Sequence, residues 1–277
     1  MKKQFDFHDH YNDAAKEIND AFEFASRIHK LAEKIPSGGT GALWFRGQAD
    51  GCWPLVPSIG RKNPLWLGYR LREEPKYGKG LRRMKEVEYD FIDRFRRHAH
   101  AFLRREPTLW ESITMAQHYG LPTRLMDWTS NPLVALYFAV ESQEDEDGAV
   151  FAFRPSEVVE RRINMYSDDS RSHKHERYPL GVKGIRIIYP MMSSDRLVAQ
   201  SGGFTIQEPW TPLEDQSQQS FDEKSLEIFE IYKWRLPQGK KRSVASQLLR
   251  AGISHKSLFP GLEGIGKGLL RAELLRK

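Results

Sequence analysis

The pattern of hydrophobic residues along the 277-residue chain predicts an α+β fold with a single mixed core of short strands and flanking helices. Short runs of branched and aromatic residues, which are typical of buried strands, occur together with amphipathic segments of helical period. The two kinds of segment do not alternate in the strict order of a doubly wound parallel sheet. Aromatic residues make up 12% of the chain, a content that favours a packed globule.

Residues 1–40 are predicted to form a helical N-terminal lead. Ile18, Phe22, Ala25 and Ile28 recur at steps of three and four, which indicates an amphipathic helix over 12–35. Pro36 and the glycines after it end this helix. A short buried strand over 41–47 is predicted to follow.

A central domain is predicted over residues 41–210. Its strongest helix spans 84–105, because Val87, Phe91, Phe95 and Phe102 form one apolar stripe. Pro132 is placed in the first turn of another helix, where its missing N–H costs nothing. A further helix is predicted over 110–119, and strands over 123–128, 149–155, 185–190 and 202–207.

Residues 211–277 are predicted to be a C-terminal appendage packed on or beside the core. It contains a strand over 226–234, a helix over 240–252 and a last helix after Gly268. Residues 261–268 have the glycine and lysine spacing of a phosphate loop, but Gly268 stands where that loop needs Ser or Thr. We therefore interpret this segment as a turn that caps the last helix.

Composition narrows the classes of function. The net charge of +6 permits an anionic partner without requiring one. No apolar run approaches the roughly 20 residues that span a bilayer, so no membrane association is predicted. Cys52 is the single cysteine, and the N-terminus lacks a signal-peptide pattern, so a cytoplasmic protein is expected. His173 and His175 lack a second ligand cluster, and no metal site is predicted.

Two segments concentrate polar groups in apolar surroundings, namely WFRGQ (44–48) and AQHYGLPTRLMDWT (116–129). An arginine in an apolar strand is costly unless it meets a carboxylate or an anionic ligand. Arg46 is therefore either a core residue paired with an acid such as Asp127, or a fixed guanidinium that binds phosphate or carboxylate. Strand alternation places Arg124 and Asp127 on opposite faces, so the two need not pair.

These two segments, together with Leu55-Val56-Pro57-Ser58 and NPLVALYFA (131–139), resemble the FRG domain family, which is named for its Phe-Arg-Gly motif. That motif corresponds to Phe45-Arg46-Gly47. The resemblance extends over roughly 41–207 and ends in a pattern similar to the closing R-x-x-x-Q-x-G-x-F of the family. The residues that match it loosely are Arg196, Gln200, Gly202 and Phe204.

The order of elements is similar to that of ADP-ribosyltransferases, which cleave the nicotinamide–ribose bond of NAD. This likeness implies a cation for the pyrophosphate, an aromatic wall for nicotinamide, and an acceptor beside an oxocarbenium-like ribose. The acceptor stays open between Asp127, Gln200, Gln207 and Glu208. The resemblance implies catalytic roles for Arg46, His118, Asp127, Gln200 and Glu208, and contacts to NAD for Arg46, Gln48, Tyr119, Arg124, Trp128 and Tyr137.

Three classes of function are therefore predicted. The first is an NAD-using transferase or glycohydrolase with a protein or nucleic-acid acceptor, as in a toxin or phage-defence effector held by an inhibitory partner. The second is a module that binds a nucleotide or nucleic acid without chemistry, and a basic face on the 84–105 helix suits nucleic acid. The third is a structural or regulatory partner protein in which Arg46 and Asp127 belong to the core.

Overall fold

The structure, a computed structural model, describes residues 17–34, 43–61, 79–154, 185–188, 198–207 and 230–276. Two short 3-10 turns, Ser58–Gly60 and His100–Phe102, accompany its helices and strands. The elements in chain order are α1 (Ala21–Lys34), β1 (Trp44–Gln48), α2 (Lys79–Ala99), α3 (Leu109–His118), β2 (Leu125–Thr129), α4 (Pro132–Val140), β3 (Gly148–Arg154), β4 (Arg186–Ile188), β5 (Gly202–Ile206), β6 (Glu230–Leu236), α5 (Gln238–Arg250), α6 (His255–Leu258) and α7 (Leu262–Arg276).

The six strands found in the described residues form one antiparallel sheet in the order β4-β5-β2-β1-β3-β6. Strands that are distant in sequence are neighbours at its centre, where β2 lies between β1 and β5. Helices and strands occur together along the chain without regular βαβ alternation, which confirms the predicted α+β fold. None of the helices among the described residues is both long and apolar enough to cross a membrane.

One face of the sheet, here called the helix face, is covered by helices. Phe45, Val150 and Ala152 share a buried cluster with residues of α1, α4 and α5. A Cβ at Gly47 would lie 1.8 Å from the carbonyl oxygen of Ala135, so glycine lets α4 pack directly against β1. Farther along the sheet a second cluster covers Leu125 of β2 together with residues of α2, α3, β4 and β5.

The opposite face, here called the loop face, buries Trp44, Trp128, Phe151 and Phe153. Leu55, in the loop over 49–61, packs against the same cluster. Residues alternate between the faces along each strand, so Arg46 and Gln48 follow Trp44 onto the loop face.

The first helix begins later than predicted. Within the described residues it starts at Ala21, because the Asp20 carboxylate accepts hydrogen bonds from the N–H groups of Phe22 and Glu23 and so caps the helix. Ile18 is held in extended backbone by a 2.8 Å hydrogen bond to the carbonyl of Arg235. Residues 1–16 lie outside the described part of the chain.

Two other predicted helix boundaries are wrong. The helix predicted over 84–105 ends at Ala99, after which a 3-10 turn leads to an extended Leu103. The last helix begins at Leu262 and includes the glycines that we interpreted as a turn. Glycine is favoured inside this helix at Gly264, where a Cβ would lie 1.6 Å from the carbonyl oxygen of Phe259.

The C-terminal elements contribute to the main core. Leu236, Val244, Leu248 and Leu258 belong to the same buried cluster as α4. These residues therefore pack on the sheet and its helices. The boundaries proposed for the three segments remain a prediction.

Candidate functional site

Arg46 connects two central strands through its side chain. The ladder between β1 and β2 has one register pair, Phe45 opposite Thr129. Beyond that pair, Nη1 of Arg46 donates a 2.8 Å hydrogen bond to the backbone carbonyl of Asp127. The same nitrogen lies 4.0 Å from Oδ2 of the Asp127 carboxylate, so the two charged groups are close but not tightly paired.

The Asp127 carboxylate faces solvent, with 66% of its side chain exposed, whereas that of Arg46 is 15% exposed. Gln117, one residue before the end of α3, donates from Nε2 to Oδ1 of Asp127 at 3.0 Å. Gln117 also accepts a hydrogen bond from the Thr123 hydroxyl. The carboxylate is thus exposed but held in one orientation.

The 49–61 loop is fixed beside this carboxylate by Ser58. The Ser58 hydroxyl accepts from the N–H of Thr123 at 3.1 Å and donates to the carbonyl of Thr123 at 3.2 Å. Ile59 adds a backbone hydrogen bond to that carbonyl. The motif Leu55–Ser58 therefore positions the residue that follows the 3-10 turn, Arg61.

Arg61 places a second guanidinium near Arg46 and Asp127. Burial, followed by the positive charge of Arg61, lowers the pKa of Arg46 to about 10, and Asp127 opposes the change. Burial also lowers the pKa of Arg61, again opposed by Asp127. Nε of Arg61 donates to the carbonyl of Val56, whereas the buried Nε of Arg46 has no hydrogen-bond partner among the described residues. Two cations therefore adjoin one exposed carboxylate.

Two glutamines of the loop face carry further uncommitted groups. Gln48 and Gln207 are both buried, and Nε2 of Gln207 donates to the carbonyl of Leu55 at 3.0 Å. Oε1 of each is buried without a hydrogen-bond partner among the described residues. Buried acceptors of this kind normally find a donor, such as a bound water or a ligand.

His118 and Tyr119 lie at the end of α3, directly after Gln117. Their rings are in edge contact at 5.0 Å, and Tyr119 also stacks on Phe95 at 6.1 Å. Tyr119 is 72% exposed, so most of its surface faces solvent. Both residues therefore lie at the end of α3 next to Gln117, which donates a hydrogen bond to Asp127.

Arg124 and Trp128 are committed to the interior. Arg124 forms a buried ion pair with Glu88 of α2, with 2.7 Å between Nε and Oε2. The indole of Trp128 donates to the Thr205 hydroxyl at 3.0 Å and meets Phe153 edge to face. The arginine that forms a buried ion pair in the core is therefore Arg124, and its partner is Glu88.

Gln200 and Tyr137 contact the C-terminal helices. Nε2 of Gln200 donates to the carbonyl of Leu258 at 3.1 Å. The Tyr137 hydroxyl lies 2.9 Å from Nδ1 of His255, and burial, followed by Glu141, raises the pKa of Tyr137. Among the described residues neither side chain is hydrogen-bonded to Arg46, although the Gln200 carbonyl accepts from the Thr129 hydroxyl of β2. Glu208, Arg196, His173 and His175 lie outside the described residues.

The structure therefore brings together Arg46 and Asp127, with His118 and Tyr119 on the adjacent helix end. Gln117 and Arg61 were not predicted from the sequence. Gln117 could have been suspected because it belongs to the polar run before Gly120. Arg61 follows Leu55–Ser58 at a short distance but stands in a segment without a periodic pattern, so no local feature marks it.

Four arginines of the basic face predicted on the 84–105 helix form ion pairs. Arg94 and Arg97 form ion pairs with Asp90 and Asp93, one turn earlier on the same helix. Arg96 pairs with Glu106, and Arg105, which lies beyond the helix, pairs with Glu111.

The comparison with protein families gives one result. Residues 41–148 match the model of the FRG domain. The matched range begins before β1 and ends at the start of β3, so it includes Arg46, Arg61, Gln117 and Asp127. No curated protein and no solved structure matches the chain. Residues 41–148 are therefore similar to an FRG domain, and the arginines and the carboxylate described above lie among them.

Proposed function

We propose that the FRG domain binds NAD through Arg46 and Arg61 and cleaves its nicotinamide–ribose bond. The observation that carries the proposal is the pair of guanidiniums beside an exposed, oriented Asp127 carboxylate. Two neighbouring cations with one carboxylate between them are stabilised by an added anion, and guanidinium groups suit the oxygens of a pyrophosphate.

Each residue has a defined part in this proposal. Arg46 and Arg61 hold the pyrophosphate, and the exposed ring of Tyr119 offers an aromatic surface. When the bond between the ribose anomeric carbon and the nicotinamide nitrogen breaks, its electron pair leaves with nicotinamide. Asp127 then stabilises the positive charge on the ribose until an acceptor oxygen or nitrogen bonds to the same carbon and loses its proton.

The acceptor is proposed to be water, a protein or a nucleic acid. Transfer to a macromolecule would suit a toxin or phage-defence effector controlled by an inhibitory partner. The likeness of the motif order to ADP-ribosyltransferases supports this class, and β1, β2 and β5, which carry the relevant motifs, are adjacent in the sheet.

A second candidate is a domain that binds a nucleotide without reacting with it. The observation that favours it is the number of groups suited only to binding. Around Arg46, the described contacts are made by guanidinium, amide and hydroxyl groups, with Asp127 as the one carboxylate. One Asp127 oxygen is already hydrogen-bonded to Gln117.

Titration calorimetry with NAD and an assay of nicotinamide release distinguish these candidates. Arg46→Ala is expected to lose binding and release together, since the pyrophosphate contact is removed. Asp127→Asn is expected to keep binding within a few fold but to lower release by about a hundredfold, because it removes the charge beside the ribose. Arg94→Ala, which breaks an exposed pair on α2, is the matched control and should change neither.

Two results would contradict the proposal that this region cleaves NAD. Binding without release by the unsubstituted protein, with every acceptor class supplied, supports the second candidate. Absence of both binding and release overturns the NAD proposal.

A further inference from the structure

Two buried amide groups on the loop face leave part of their hydrogen-bonding capacity unused. Gln48 and Gln207 are 4% and 1% exposed. Nε2 of Gln207 donates to the carbonyl of Leu55, and this bond orients the amide, because the reverse orientation would set two oxygens against each other. Oε1 of each glutamine is buried without a hydrogen-bond partner in the described part of the chain. A buried acceptor without a donor is costly, so both oxygens favour a donor from outside these residues.

The two glutamines lie at the same end of the sheet. Strands β1 and β5 flank β2 and are both antiparallel to it, so they run in the same direction. Gln48 is the last residue of β1, and Gln207 directly follows β5. Thr205 accepts the hydrogen bond of the Trp128 indole on the loop face, so strand alternation brings Gln207 to that face as well. Both amides therefore lie on the loop face, on either side of β2.

The surface between the two glutamines is apolar. Met126 of β2 and Leu55 of the 49–61 loop belong to one buried cluster on the loop face. Apolar side chains suit the face of a flat ring, and a few fixed polar groups beside them suit the polar edge of the same ring. A ribose, which carries hydroxyl groups around its ring, would be less well matched to this surface. The two oxygens and the apolar side chains therefore fit an aromatic base with N–H groups at its edge.

Arg46 lies close to this surface along β1. It precedes Gln48 by two residues on the same face, which is about 7 Å along a strand. Nε of Arg46 is buried and, among the described residues, also has no hydrogen-bond partner. In the proposed function the Arg46 guanidinium holds a pyrophosphate, and the spacing to Gln48 leaves room for a ribose between phosphate and base. The apolar surface is thus within reach of the base of a nucleotide bound at Arg46.

We propose that Gln48 and Gln207 bind the base of a nucleotide by accepting hydrogen bonds from its amino or carboxamide N–H groups. The inference rests on the proposed function, because Arg46 places the phosphates of the same ligand. NAD carries such a group on each of its rings, namely the carboxamide of nicotinamide and the amino group of adenine. The 49–61 loop, which contacts Gln207 through Leu55, has to move for the base to enter.

Titration calorimetry with three dinucleotides tests the donor. In nicotinic acid adenine dinucleotide the carboxamide of NAD is a carboxylate, and in nicotinamide hypoxanthine dinucleotide the adenine amino group is an oxygen. The unsubstituted chain should bind one of these analogues at least tenfold more weakly than NAD, because a buried acceptor cannot pair with an oxygen that carries no proton. The weaker analogue identifies which ring meets the glutamines.

Substitution of each glutamine by methionine tests the residues. Gln48→Met should weaken NAD binding at least tenfold and abolish the preference over the analogue. Its urea midpoint should be unchanged or higher, since Oε1 of Gln48 has no partner among the described residues to lose. Gln207→Met should abolish the same preference but lower the midpoint, because it also removes the bond to Leu55. Gln238→Met, at the exposed start of α5, is the matched control and should change neither quantity.

Three results would overturn the inference. Equal affinities for NAD and both analogues, or a preference that Gln48→Met retains, would exclude the base site and leave the proposed function standing. A lower urea midpoint of Gln48→Met with unchanged affinity for NAD would show that the amide serves the fold through buried water. Failure of the unsubstituted chain to bind NAD would overturn the proposed function and this inference together.

Discussion

Two arginine–carboxylate pairs in the region that matches the FRG domain model differ in what surrounds them. Arg124 and Glu88 are closed off, with 1% and 0% of their side chains exposed, and Glu88 accepts both from Nε and from the backbone N–H of Arg124. Arg46 donates instead to the backbone carbonyl of Asp127, whose carboxylate faces solvent. In the first pair the carboxylate is fully used. In the second it is oriented and still accessible.

The difference separates a structural pair from a site. A buried ion pair must satisfy its own hydrogen bonds, because opening it would leave a charge without water or partner. Among the described residues Nε of Arg46 has no hydrogen-bond partner, and the Asp127 carboxylate keeps exposed lone pairs, so a ligand can bind at low cost. Both arginines belong to family motifs, and the surroundings of each pair distinguish their roles.

The largest effect is expected for the closed pair. Glu88→Gln should lower the free energy of unfolding by about 3–5 kcal/mol, since it leaves the buried Arg124 without its counter-charge. Urea unfolding followed by tryptophan fluorescence measures this change. The double variant Glu88→Leu, Arg124→Met should recover most of the loss, because both charges are removed together. A cost below about 1 kcal/mol for Glu88→Gln would contradict the structural role of the pair.

A smaller effect on folding is expected at the open pair. Arg46→Met removes one hydrogen bond to a carbonyl and should cost about 1 kcal/mol, while the relief of burying a cation offsets part of the loss. Asp127→Asn should cost less still, because its side chain is largely exposed. The same urea experiment measures both variants. If Arg46→Met destabilised the protein as much as Glu88→Gln, then Arg46 would also be a core residue.

Sequence patterns predicted the parts of the fold that depend on local order. β1, β3 and α4 were identified because their apolar residues are consecutive or are bounded by Gly and Pro. Pairing across the sheet is not readable in this way. Glu88 lies among charged neighbours in a helix and is separated from Arg124 by 36 positions in the sequence. Nothing near either residue therefore indicates the contact.

The candidate site was predicted only where it coincides with a motif. Arg46 and Asp127 stand out because they are charged residues in apolar strands. Gln117 and Arg61 depend on tertiary contacts made by α3 and the 49–61 loop. Gln200 belongs to the motif as well, but its amide contacts α6, an element whose position follows from the packing of the C-terminal helices.

An effect that depends on pH is expected at a third pair, which is neither fully buried nor fully exposed. Glu111 and Thr108 form the capping box of α3, in which the side chain of each accepts a hydrogen bond from the backbone N–H of the other. The Glu111 carboxylate also accepts hydrogen bonds from Arg105. The Arg105 bond is the largest cause that holds the pKa of Glu111 below its ordinary value of 4.5. A carboxyl whose pKa is lowered by folding stabilises the protein above its unfolded pKa, and that contribution disappears as the pH falls through the folded value.

Glu111→Gln should therefore cost about 1 kcal/mol at neutral pH and reduce the loss of stability below a pH of about 4.5. Urea midpoints collected from neutral to acid pH measure both changes. Glu106→Gln, at the exposed carboxylate that pairs with Arg96, is the matched control and should leave the acid dependence nearly unchanged. Equal slopes for Glu111→Gln and the unsubstituted protein would show that Glu111 contributes no proton linkage, and the capping contacts alone would then account for its role.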